Sequence, residues 1–534
     1  MFDFLIVYDI LRMFLGLYLI LEVLMSVDFK KFMSTSKYFS GSAENEETFI
    51  KNVFCPQRSI RKLVSIDSSA PKILVGQKGT GKSAFLKFYK NILEENGFPV
   101  IFIRPSDIEY KFSQDNSLGG LTRYAKELLV GAIGCKLAEN KSVCLTQHDN
   151  VLHHLAQKSG NYEPNVVSRI SSILSEIARP LLNVDFSKIA SALTTHSTSL
   201  PIIETAIKES LIADEKICFI FIDDTDKFIP PALTDLNKLW AFVQALSELL
   251  EQNKHLRAII SFRSEVWRRL LTSQDGQRDQ IDHYRPFVYE LKLSEDELSE
   301  IIERRLDFAA KQLSDNSTYY YEKTFFNNNS FLTLPNDDEE VRHIKEFISR
   351  RSRQRPRNAM QMIGNWFEYC IDNELNYIDS NVVSNCMNKY AKNCVDDLVV
   401  EVEGECPQIR TIIDFFAKNP SKEDKGAYTY SSNEMLELVK KCHGYGVRLF
   451  SKTLHLQQRD GACRFIDYLF AIGFITAKVA DATKPKGYRH IGSQENPQLL
   501  NNGSWIEIGK YSWQINPAFY DYLFPLYQTS KGIW

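Results

Sequence analysis

Short apolar runs without alternation organise the N-terminal half of the chain. KILV at 72–75, VIFI at 100–103, ICFIFI at 217–222 and LRAIISF at 256–262 are hydrophobic almost throughout. Runs of that length and character belong to strands buried on both faces, as in a parallel sheet covered by helices, so the pattern predicts an α/β fold. Behind the first run, Ala84, Phe85 and Phe88 fall at helical spacing. After residue 291 the pattern turns helical. Ser294 is followed three residues on by Glu297, the spacing of a capping box, and apolar positions three and four apart then predict the opening helix of a helical lid. Residues 317–338, rich in Asn, Tyr and Phe, are expected to form an irregular surface loop. Farther on, PQIRTIIDFFAK, SNEMLELVKK and RDGACRFIDYLFAIGFI read as helices, and FITAKV, residues 488–491 and WIEIGKYSWQI as strands. Helices that end in a β-hairpin predict a winged-helix-like α+β domain. Such a module sets a recognition helix in a DNA groove or serves protein contacts, and its fold does not choose between them.

Composition narrows the classes. The 534 residues suit about three domains at roughly 100–200 residues each, and 44% hydrophobic with 25% charged residues is an ordinary globular mixture. Lys and Arg total 64 against 67 Asp and Glu, a net charge of −3, so no global cationic field points to nucleic acid or acidic lipid. Ten scattered cysteines without a C-x-x-C pattern suit reduced thiols rather than disulfides or a zinc site. Residues 1–25 are strongly apolar, but Asp3, Asp9, Arg12 and Glu22 interrupt them. A spanning helix needs ~20 mostly apolar residues. A cytoplasmic protein is therefore expected, with this segment an apolar helix on the body or a leader upstream of a start at Met25 or Met33. The alternative is a membrane anchor with Lys30, Lys31 and Lys37 on the cytoplasmic side.

Chemistry enters at the end of the first run. Gly76-Gln77-Lys78-Gly79-Thr80-Gly81-Lys82-Ser83 satisfies G-x-x-x-x-G-K-[ST] between a strand and a helix, the phosphate-binding P-loop. Glycines let main-chain N–H groups wrap a phosphate chain, and the helix start adds its positive dipole end. Lys82 is expected on the β and γ phosphates of ATP, and Ser83 on Mg²⁺. ICFIFI ends in Asp223 and Asp224, where a parallel sheet opens its ligand crevice. Asp223 is expected to hold Mg²⁺ directly or through water, and Asp224 to orient or deprotonate the attacking water. Asp226 and Lys227 read as a surface ion pair. At the end of the next run, Ser261 and Arg263 either sense the γ phosphate or only cap the strand.

The P-loop, the acidic IFIDDTDKF and the IISFR strand together resemble the signal-transducing (STAND) and KAP-type P-loop ATPases, relatives of the AAA+ class. The KAP-type pattern DD-x-D-[RK] is matched by Asp223, Asp224, Asp226 and Lys227. The resemblance extends over roughly residues 37–395. The chain is also similar to bacterial ATPases with a C-terminal winged helix, some associated with phage defence. The resemblance implies ATP hydrolysis coupled to a change of shape. It also implies that an arginine heading a lid helix contacts the γ phosphate, a position matched by Arg357 in Pro356-Arg357. Arg350, Arg351, Arg353 and Arg355 crowd in front of it, and a phosphate-backbone patch for nucleic acid or a solvated basic face are equally open readings. The expected domains are residues 1–36, an apolar segment; 37–290, the P-loop core; 291–398, the lid; and 399–534, the winged-helix-like domain.

Two functions from different classes fit: a Mg²⁺-dependent ATPase whose hydrolysis re-aims the C-terminal domain, or a nucleotide-gated binding protein that hydrolyses little or nothing. From Glu401 onward Lys and Arg number 16 against 14 Asp and Glu, which permits DNA without requiring it. Lys484, Lys486 and Arg489 are the expected phosphate contacts there. A DNA or protein effector and self-assembly into a homo-oligomer are both left open by the sequence.

Overall fold

The computed structural model describes residues 29–42, 45–46, 48–64, 70–104, 117–139, 146–159, 199–223, 233–272, 281–313, 320–333, 341–421, 428–482, 487–497, 499–500 and 504–532. The expectations placed on residues 1–25 and on Asp224, Asp226, Lys227, Lys484 and Lys486 lie outside the described residues. The chain divides into two compact units, Pro56–Leu291 and Met1–Cys55 with Lys292–Trp534. Each has its own apolar core.

In the unit Pro56–Leu291, the apolar runs become strands β1 (Lys72–Gly76), β2 (Val100–Ile103), β3 (Cys218–Ile222) and β4 (Leu256–Arg263), joined by a short β5 (Val288–Glu290). All pair in parallel, in the order β2-β3-β4-β1-β5. Every residue of β1 and β3 is buried. Helices on the sheet supply the reason: Leu118–Glu139, Ser199–Ala213 and Leu233–Gln252 contribute Leu128, Leu129, Ile207, Leu239 and Trp240 to the core that also takes in Ile73, Ile220 and Ile260. Each of the leucines and isoleucines contributes roughly 1.5–3 kcal/mol on burial. Parallel strands share one C-terminal edge, so Gly76, Asp223 and Arg263 all emerge on the same side of the sheet.

In the other unit the capping box forms as its spacing predicts. Ser294 Oγ accepts from Glu297 N at 3.2 Å, Glu297 Oε2 accepts from Ser294 N at 3.0 Å, and the helix Glu295–Lys311 follows. The helices Ile344–Arg351, Pro356–Asp372 and Ser380–Val402 complete the helical part. Residues 37–55, assigned from sequence to the P-loop core, pack in this unit. Tyr38, Phe39 and Phe49 enter its aromatic cluster, and Arg305, itself buried, bonds Tyr38 O at 2.8 Å and Glu46 at 2.9 Å. Residues 317–338 are also not the irregular surface loop expected. Their described part forms the helix Tyr321–Phe326 and β6 (Phe331–Thr333), which pairs with β7 (Val341–His343), because Tyr321, Phe325 and Phe326 are core residues.

The C-terminal part contains the three expected helices, at Ile409–Ala417, Ser432–Lys441 and Arg459–Ala471. Its winged-helix-like sheet is antiparallel. β8 (Thr429–Tyr430) is followed in the chain by the small pair β9 (Arg448–Leu449) and β10 (Lys452–Thr453), then by β11 (Ile475–Ala480), β12 (Tyr488–Ile491) and β13 (Ser512–Ile515). The four-stranded order is β12-β11-β13-β8. WIEIGKYSWQI, expected as one strand, splits into a helical turn Trp505–Ile508 and β13. A closing helix, Tyr520–Ser530, packs against Ser380–Val402 and Ile409–Ala417, so lid and C-terminal domain share one continuous core. Among the described residues no helix is long and apolar enough to cross a membrane. Nine cysteines among them are buried, unbridged thiols.

Candidate active site

β1 runs between β4 and β5 and delivers Gly76 to the sheet edge, where the chain turns through residues 77–81 into the helix Lys82–Glu95. The turn is tight. A Cβ on Gly76 would lie 2.9 Å from Thr80 Oγ1 and 3.1 Å from Leu291 Cβ. Gly81 occupies the N-cap with φ +103°, which L side chains rarely adopt. Thr80, fully buried, donates its hydroxyl to Gln77 O at 2.8 Å and ties the loop to itself. Lys82 Nζ donates to Gly76 O at 2.7 Å and Gln77 O at 2.9 Å, so the loop's own carbonyls hold the ammonium over it. Ser83, half-buried, is the second residue of the helix, and Lys78 is half-buried in the loop.

Two strands away, Asp223 follows β3 directly, with its N–H on Ile103 O at 3.0 Å. Its carboxylate is 2% exposed, and Ser261 of β4 donates a hydroxyl to Oδ1 at 2.6 Å. Ser261 is level with Leu74 and Arg263 with Gly76, so the P-loop and the acidic strand are bridged by a single intervening strand. This fixes the order across the edge: P-loop on β1, Ser261 and Arg263 on β4, Asp223 on β3. An ammonium, a helix start with main-chain donors and a fixed carboxylate are the groups that bind a polyphosphate and its cation. The oxygen donors Ser83 and Asp223 match the hard-ligand preference of Mg²⁺.

One residue near the loop carries no sequence signal. Gln57, 3% exposed, has its Nε2 3.9 Å from where a Cβ on Gly81 would stand, and its buried Oε1 has no hydrogen-bond partner among the described residues. It precedes the strand by many residues and belongs to no motif.

Arg357 lies in the other unit, at the head of the helix Pro356–Asp372, and donates Nε to Gly41 O at 3.1 Å. The arginines before it are not a solvated face. Arg351 is 1% exposed and bonds Asp521. Buried Arg355 pairs with buried Glu401 at 3.0 Å. Buried Arg353 donates to Ile472 O at 2.8 Å and lies over the Phe519 ring, and burial, then Arg355 beside it, pushes its guanidinium down to about 10. Arg351 and Arg353 therefore brace the helical part to the C-terminal part and Arg355 pairs within the helical part, so the burial of these three leaves them unavailable as a nucleic-acid patch. Arg489, on β12, is held by Glu495 and Asp481.

No family model matches the chain, and no curated protein matches it. Solved structures do. The Aeropyrum pernix ORC2 protein in its ADPNP-ADP complexes aligns at a TM-score of 0.38 and 10% identity, over 91% of this chain and 92% of that one. Cdc6p from Pyrobaculum aerophilum aligns at 0.33 and 12%, over 91% and 99%, and Drosophila ORC bound to DNA at 0.29 and 10%, over 93% and 91%. Likenesses this faint carry no inference about what the present chain binds.

Proposed function

We propose that this chain binds ATP with Mg²⁺ in the P-loop and hydrolyses it to drive a change of shape. The observation that carries the reading is the placement of buried Asp223, held by Ser261, one strand away from the strand that joins it to the P-loop edge. Main-chain N–H groups of residues 77–83 would cradle the phosphates, and Lys82 would exchange its two carbonyl partners for phosphate oxygens. Ser83 and Asp223 would hold Mg²⁺, which supplies charge neutralisation on the β and γ phosphates. Arg263, level with Gly76, would respond to the terminal phosphate, a role that its register supports. Asp224 follows Asp223 in the chain and is proposed to orient the attacking water. Catalysis of this kind is positioning and charge stabilisation, with little covalent work for the protein.

Phage defence is the cellular process that the sequence resemblance supports. Of the three basic residues expected to contact DNA phosphates, Arg489 already serves two carboxylates. Phosphate release from ATP by the full chain tests the proposal, compared with Asp223→Asn. Turnover that vanishes in the variant while nucleotide still binds supports it, whereas equal turnover removes Asp223 from the mechanism. Binding without turnover in the unaltered chain leaves nucleotide as an assembly ligand only.

A further inference from the structure

Arg350 differs from its neighbours in the arginine cluster. Its guanidinium makes no hydrogen bond or ion pair with any described residue, and its Nε is sealed from solvent. It lines a cavity of about 500 Å³ between the helical part and the C-terminal sheet of the unit Met1–Cys55 with Lys292–Trp534. That volume is in the range of small-molecule sites. The other two arginines on its walls are neutralised, Arg342 by Glu346 at 2.8 Å and Arg489 by Glu495 and Asp481.

Gln354 lines the same cavity, and its buried Oε1 also lacks a partner among the described residues. It is presented by strained backbone: Arg353 at φ +58° and Gln354 at φ +53° are consecutive left-handed residues, neither a glycine. Such a conformation is disfavoured for residues other than glycine and persists where the surroundings demand it. Gly492 makes room for the amide, since a Cβ there would stand 2.6 Å from Gln354 Oε1. A buried donor and a buried acceptor, both unsatisfied in one cavity, are each costly and call for a shared explanation.

We propose that this cavity binds a small sugar phosphate. Arg350 takes the phosphate with the terminal nitrogens of its planar fork, the Gln354 amide turns its Oε1 out to accept from a sugar hydroxyl, and the carboxylates of Glu295 and Asp296 on the wall accept from the remaining hydroxyls. The site is independent of the P-loop, and its ligand would bear on the joint between lid and C-terminal domain.

Calorimetric titration of the full chain carrying Lys82→Ala, which weakens phosphate binding at the P-loop, tests this with ribose 5-phosphate, ribose and inorganic phosphate as probes. Saturable heat is expected with ribose 5-phosphate and none with ribose. The affinity should fall at least about tenfold in Arg350→Ala and in Gly492→Ala, which displaces the Gln354 amide while keeping the fold. Absence of saturable heat, or equal affinity in Arg350→Ala, overturns the proposal. Inorganic phosphate binding as tightly as ribose 5-phosphate overturns the sugar-phosphate assignment. Arg350 has no partner to lose, so an unchanged thermal midpoint in Arg350→Ala confirms that its effect is on the ligand.

Discussion

Ser261 donates its hydroxyl to Asp223 Oδ1 at 2.6 Å, strand to neighbouring strand, with both residues at most 2% exposed. A hydrogen bond to a buried carboxylate contributes about 1.5–3 kcal/mol and fixes its orientation. Ser261→Ala should therefore lower stability by about 2 kcal/mol in urea denaturation. It should also cut ATP turnover at least about tenfold while nucleotide affinity changes little. A variant that loses stability but keeps its turnover assigns Ser261 to the core alone.

Gly81 caps the P-loop helix at φ +103°. Alanine there forces a disfavoured backbone without altering a single charge, at a cost of roughly 1–3 kcal/mol. Gly81→Ala is expected to weaken nucleotide binding strongly in calorimetry although Lys82 and Asp223 are intact. Binding equal to the unaltered chain would mean that the loop conformation does not matter.

Arg355 and Glu401 form a pair in which both side chains are at most 5% exposed. Removing one partner strands a buried charge, and Arg355→Ala should cost about 3–5 kcal/mol. Replacing both, as Arg355→Met with Glu401→Leu, should recover most of that loss, because two apolar groups need no counter-charge. Denaturation midpoints of the three variants check this. A double variant no more stable than Arg355→Ala would show that the pair does more than neutralise itself.

Desolvation pushes the buried thiols of Cys218, Cys370 and Cys442 up to about 12 from an ordinary 9.0. Between those values the unfolded chain has released protons that the folded chain keeps. Stability is then fully present below about pH 9 and falls as the pH rises toward 12. Urea midpoints at about pH 8 and about pH 10 should show the decline, and an equal or higher midpoint at the alkaline value contradicts it.

The strands of the sheet and the P-loop were legible because burial on both faces leaves a continuous apolar run, and because the glycines, lysine and serine of the loop must be local to one another. Ser294 and Glu297 were legible for the same reason: a capping box closes within one turn. β5 was not, being three half-buried residues at the sheet edge. The arginine cluster was misleading. A guanidinium and its carboxylate need not be close in sequence, and Glu401 and Asp521 lie 46 and 170 residues from Arg355 and Arg351. Nothing local to SRRSRQRPR announces that three of its charges are buried. The aromatics at Tyr321, Phe325 and Phe326 give no helical signal because the Asn-rich residues around them mask a short core helix.

Whether the P-loop and Asp223 form one nucleotide site is decided by calorimetric titration of ATP with Mg²⁺ into the full chain. Saturable heat is expected, reduced by withholding Mg²⁺, with an affinity lowered at least about tenfold by Lys82→Ala. No heat from the unaltered chain, or the same affinity in Lys82→Ala, would mean that the P-loop and Asp223 do not form a nucleotide site.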